Sequence, residues 1–143
     1  MINGGEFANT KLRKYPHMFP LDIPIWERFL DSFSDDFLSF DYDVKVGSGT
    51  QPIEGLGDKY ARMQSILSKY RIDVVGYNSN SILIIETKPE AGTTAIGQIE
   101  TYTKLYTRDM HPNLPVVGCI ITDRKLPDMD YLTKDKGIAY YIV

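Results

Sequence analysis

The chain has 143 residues, a net charge of −3 and a single cysteine, with 43% hydrophobic and 12% aromatic residues. That length suits one domain with its own core and no staples, and the apolar content excludes a disordered chain. Cys119 has no partner for an internal disulfide, and a pI near 5.3 is not that of an avid nonspecific nucleic-acid binder.

No apolar run approaches the length of a membrane span, and no charged-then-apolar leader opens the sequence. The expectation is a cytoplasmic protein without membrane contact, a setting that also suits a chain encoded by a virus or mobile element. Met1 to Pro20 lacks periodicity, and Gly4-Gly5, Pro16 and Pro20 mark it as loop. Residues 1–21 are expected to form an N-terminal arm with Lys11, Arg13 and Lys14 in solvent, and residues 22–143 a single domain.

Asp22 to Phe33 predicts a helix. Ile25, Trp26, Phe29, Leu30 and Phe33 form one apolar stripe, Asp22 can cap, and Pro24 suits the first turn. Glu27 falls on the polar flank of that stripe. Phe40 to Val46 alternates Phe40, Tyr42, Val44 and Val46 against Asp41, Asp43 and Lys45, as a half-buried strand does. Gly47 to Gly57 is rich in glycine and predicts a loop, without the spacing of a phosphate cradle. Asp58 to Tyr70 has Tyr60, Met63, Ile66, Leu67 and Tyr70 at helical spacing. These positions are expected in the core rather than as a base-stacking platform.

Two apolar runs then flank Asn78-Ser79-Asn80-Ser81: Arg-Ile-Asp-Val-Val-Gly-Tyr before it, and Ile-Leu-Ile-Ile-Glu-Thr-Lys after it. The pattern predicts a β-hairpin with turn-forming residues at its tip. A loop of two or four residues sets Asp73 directly opposite Glu86, with Cβ atoms about 4.5–5.5 Å apart. An odd-length loop would put the two acids on opposite faces. The same register sets Arg71 opposite Lys88. Opposed like charges destabilise a strand pair, and a divalent cation would relieve the acids, as a phosphate would the bases. Carboxylate oxygens suit magnesium or manganese, and the chemistry implied is phosphodiester hydrolysis.

Charge distribution points the same way. Residues 22–58 hold nine acids and two bases, whereas residues 59–88 hold five bases and only two acids, Asp73 and Glu86. The acids of the basic segment are thus the two proposed ligands.

Pro89 ends the second hairpin strand, and Thr93 or Thr94 can cap a helix running to about Arg108. Gln98 and Tyr102, four apart, are neighbours on one face of it. His111-Pro112 breaks the helix, and Val116 to Thr122 reads as a strand buried on both faces with Cys119 as a structural thiol. A short helix over 130–136, ended by Gly137, and a strand from Ile138 to Val143 complete the order. His17 and His111 sit beside prolines and receive no catalytic role. The fold class expected is α/β, a mixed central sheet flanked by helices.

Asp73, Glu86-Thr87-Lys88 after a hydrophobic strand, and then Gln98 and Tyr102 resemble the motif of the PD-(D/E)XK nuclease superfamily. The Gln-x-x-x-Tyr spacing is similar to its RecB-like branch and to the N-terminal nuclease domain of type I restriction subunits. Ile72 stands where the motif's name has proline. The resemblance spans roughly residues 22 to 143. It implies a restriction-endonuclease-like αβββαβ core and a metal-dependent nuclease acting on nucleic acid, foremost DNA. Asp73, Glu86, Lys88 and Gln98 would be catalytic. Magnesium or manganese would be held by Asp73, Glu86 and the Thr87 carbonyl, with Glu27 approaching from the first helix. Two alternatives stand beside it: a Holliday-junction-type resolvase acting as a homodimer, and a non-catalytic nucleic-acid-binding or assembly subunit of the same fold.

Overall fold

A computed structural model describes residues 4–50, 55 and 57–143. Its spine is a six-stranded sheet in the spatial order of the chain: β1 (Phe7–Ala8), β2 (Ser39–Val46), β3 (Tyr70–Tyr77), β4 (Ile82–Thr87), β5 (Val116–Thr122) and β6 (Ala139–Ile142). The first four strands run antiparallel; β4, β5 and β6 run parallel. The change of direction follows from the connections. Asn78 to Ser81 makes a tight hairpin, closed by Asn78 Oδ1 accepting from the amides of Asn80 and Ser81. The parallel strands are joined instead through helices α3 (Thr93–Met110) and α4 (Met129–Asp135). The fold is α/β, with a mixed sheet flanked by helices.

Two cores lie on the two faces of the sheet. On one, α1 (Ile23–Phe33) sets Ile25, Trp26, Phe29 and Leu30 against Phe40, Val74, Leu83, Ile85 and Cys119. On the other, α3 sets Ala95, Ile96, Ile99, Tyr102 and Tyr106 against Val75, Ile82, Ile84 and Ile120. Ile82 to Ile85 is therefore apolar on both sides, which is why the sequence there does not alternate. Gly118 is fitted to this packing, because a Cβ on it would overlap Cγ2 of Ile99 on α3.

Several expectations need correction. Residues 4–21 are not a free arm: Phe7–Ala8 adds a strand to β2 and Tyr15 is buried in the α1 core, while Lys11, Arg13 and Lys14 are exposed, as expected. A two-residue strand is too short to show periodicity. Asp22 stands at the N-cap position of α1 without a side-chain cap bond. The helix expected to reach Tyr70 ends earlier, as α2 (Asp58–Leu67), and Tyr70 opens β3. Tyr60, Met63 and Tyr70, expected in the core, are exposed. Of the loop expected from Gly47 to Gly57, residues 51–54 and 56 lie outside the described residues, as do the side chains of Ile66 and Leu67.

Candidate active site

The hairpin register is the even-loop one: Tyr77 pairs with Ile82, Gly76 with Leu83, Val75 with Ile84 and Val74 with Ile85. Continued one step, that register sets Asp73 opposite Glu86, but the ladder itself ends at Val74–Ile85. Its end has a visible cause. The Thr87 amide, which a continued ladder would aim at Ile72, donates instead to Asp73 Oδ2 at 3.1 Å. A side-chain oxygen has taken the place of a main-chain carbonyl.

The backbone around Asp73 is reset to allow this. Val74 packs on the α1 side, yet Ile72, two residues earlier, packs on the α3 side. Partner strand β2 slips at the same level: Tyr42 belongs to the α1 side and Val46 to the α3 side. Between them Asp43 adopts φ +53°, and the β2–β3 pairing skips the Asp43–Asp73 step. A break in alternation re-aims a side chain, and such breaks are common beside active sites.

The β3–β4 pairing ends at Val74–Ile85, so the ladder does not reach the expected Arg71–Lys88 opposition. On its other side Arg71 pairs with Lys45 of β2, and its Nε lies 3.5 Å from Asp43. Lys45 Nζ and His17 Nε2 lie 3.5 Å from the same carboxylate. His17, assigned no role from sequence, thus joins a small basic cluster one strand away from Asp73.

Electrostatics single out the acid pair. Asp73 and Glu86 are both held above the ordinary carboxyl range, first by burial. For Glu86 the Asp73 charge adds to the rise, while Lys88 opposes it for both. The Thr87 amide partly offsets the rise at Asp73 by bonding its charged form. Asp22 is itself raised by burial and lowered by Lys88, and its charge lifts both members of the pair. The acid that α1 brings to the site is therefore Asp22, not Glu27. Glu27 Oε2 instead accepts a 3.0 Å hydrogen bond from the Tyr15 hydroxyl. From sequence Asp22 reads only as a cap, and its place at the head of the first helix is the one signal for it.

Thr87 is fully buried, and its carbonyl direction is fixed by neighbouring bonds. The Lys88 amide donates to Ile121 of β5 at 3.1 Å. In a trans peptide the preceding carbonyl points the opposite way, here toward β3 and Asp73. On α3, Tyr102 is raised to about 12 by burial and then by the charges of Glu86 and Asp73, with a Gln98 hydrogen bond opposing. The buried Oε1 of Gln98 has no hydrogen-bond partner among the described residues.

No group of three or more His, Cys, Asp or Glu side chains gathers at metal-binding distance among the described residues. The acids that influence each other here are the Asp73 and Glu86 carboxylates, with the Thr87 carbonyl directed toward the same strand. Two carboxylates and a carbonyl are a donor set that fits magnesium or manganese, which take one or two carboxylates and keep several waters.

Compared with family models, curated proteins and solved structures, the chain matches none. Among the described residues no helix is long and apolar enough to cross a membrane.

Proposed function

We propose that this chain is a metal-dependent nuclease with a restriction-endonuclease-like αβββαβ arrangement, hydrolysing phosphodiester bonds, foremost in DNA. The observation that carries the reading is the buried Asp73–Glu86 pair, mutually repelling, with Lys88 beside both at one end of the sheet. A purely structural acid pair in this position would be expected to hold an ion pair or a shared main-chain donor for each member. Only Asp73 has one.

Asp73, Glu86 and the Thr87 carbonyl would hold the ion. When bound, magnesium or manganese supplies charge neutralisation and an activated water. The chain's own residues account for the rest. Lys88 follows Glu86 by two residues, so its ammonium extends over the same mouth and can donate to a non-bridging phosphate oxygen as negative charge develops. Asp22 sits close enough to Lys88 to feel its charge. Gln98 and Tyr102 close the α3 side, and the free Oε1 of Gln98 can accept from the attacking water. Lys45, Arg71 and His17, gathered round Asp43 one strand away, would be the cations available to a neighbouring phosphate.

The test is cleavage of end-labelled single-stranded, duplex and branched DNA in magnesium, manganese, calcium or EDTA. Cleavage in magnesium and manganese, with little in calcium, supports the proposal, because calcium's looser coordination positions water poorly. Equal cleavage in EDTA contradicts it.

A further inference from the structure

We infer that α2 and the turn into β3 form a nucleic-acid-binding ridge, gripping an unpaired stretch of strand beside the acid pair. Bases would lie against Tyr60 and Met63, and phosphates against Lys59 and Arg62. The use of that strand as a substrate rests on the nuclease reading; its binding does not.

The first observation is exposure without a partner. Tyr60 is 63% exposed and Met63 48%. They are three residues apart on one helix face, where side chains are neighbours. Ala61 and Gln64, one step further round the helix, are less exposed. Among the described residues α2 has no extensive contact with any other element. Tyr60 and Met63 thus leave apolar surface in water, and an exposed apolar patch beside charged groups marks a binding surface.

The second observation is charge. From Lys59 to Ile72 the chain holds Lys59, Arg62, Lys69 and Arg71 and no acid at all. In a chain of net charge −3, that run is complementary to a polyanion and to little else. Lys59 and Arg62 flank Tyr60 and Met63 and are exposed with them. Cations interleaved with flat or soft apolar side chains are the arrangement that binds single strands, since every unpaired base offers a face to stack. Duplex DNA hides those faces and would engage only the cations.

The third observation is position. α2 ends three residues before β3 opens, at the same end of the sheet where β4 delivers Glu86 and Thr87. Tyr70, 53% exposed, packs its ring 6.0 Å from that of Tyr102. Tyr102 in turn feels the charges of Glu86 and Asp73. A strand lying along α2 is therefore led across Tyr70 to the acid pair.

The experiment is fluorescence anisotropy in EDTA, where nothing is cut, with labelled oligo-dT and a duplex of equal length. Replacing Tyr60 or Met63 by alanine should weaken oligo-dT binding by about 5- to 150-fold for each stacking residue lost, and duplex binding much less. Lys59→Ala and Arg62→Ala should each flatten the salt dependence of oligo-dT binding by about 0.7 in log–log slope. Y60W should keep the affinity and have its fluorescence quenched by oligo-dT. Trp26 is fully buried and will not respond, so this variant reads the surface even if the alanine variants are unstable. The inference is overturned if the unaltered chain does not bind oligo-dT, if the alanine variants lose nothing, if they lose equally on duplex, or if Y60W is not quenched. An unaltered chain that binds oligo-dT through α2 but cuts nothing in magnesium would sink the nuclease reading alone. Cleavage with α2-independent binding would sink this inference alone.

Discussion

Burial and the neighbouring Asp73 both push the Glu86 carboxyl up, and that direction fixes the pH behaviour of the metal-free protein. A carboxyl raised on folding binds more protons folded than unfolded, so stability falls as pH rises from the unfolded carboxyl value of about 4 into the neutral range. Asp22 and Asp73 shift the same way. Urea denaturation in EDTA should therefore give a larger unfolding free energy near pH 5 than near pH 8. Asp73→Asn combined with Glu86→Gln should flatten that slope, and an unchanged slope would place its origin elsewhere. Lys88 makes a different prediction. Lysine is not a ligand, so Lys88→Ala should leave magnesium affinity nearly intact and lower turnover by roughly 10²–10³-fold, as losing one transition-state donor does. A large loss of magnesium affinity, measured by calorimetry, would show that Lys88 shapes the site instead.

At the level of elements, the hairpin was legible because its turn is chemically explicit: Asn78 to Ser81 sets an even loop, and the even loop sets the register. α1 was legible from its stripe, as was the helix break at His111, which adopts φ +46°. What stayed hidden depends on tertiary placement. Nothing in Asp43 announces a left-handed backbone, so the paired slip that re-aims Asp73 could not be seen. Periodicity in α2 marked an apolar face but not whether anything covers it. Glu27 and Asp22 lie on the same helix, and only the packing of Tyr15 decides which is engaged elsewhere. The close seat of α3 on β5 offers a test of the sheet itself. Gly118→Ala should cost about 1–3 kcal/mol by overpacking against Ile99, read as a lower urea midpoint with an unchanged m-value. A neutral effect would mean that α3 can shift freely.

Across the whole molecule, the strand ends and helix termini converge at one end of the sheet. β2 finishes there, β3 begins there, β4 and β5 end there, and α1 starts there with Asp22 close to Lys88. The opposite end carries the Asn78–Ser81 turn. The charge asymmetry seen along the sequence becomes spatial: the basic run from Lys59 to Arg71 leads to the only two acids within residues 59–88. On the function proposed, two carboxylates stay in conflict until a cation arrives. The most direct measurement of that claim is thermal melting of the unaltered protein and Glu86→Gln at pH 8, in EDTA and in magnesium. Glu86→Gln should raise the melting temperature in EDTA, reflecting on the order of 1–3 kcal/mol of relieved burial and repulsion, and should lose most of the stabilisation that magnesium gives the unaltered protein. A lower melting temperature for Glu86→Gln in EDTA, with the magnesium shift retained, would mean that Glu86 is a scaffold residue and not a metal ligand.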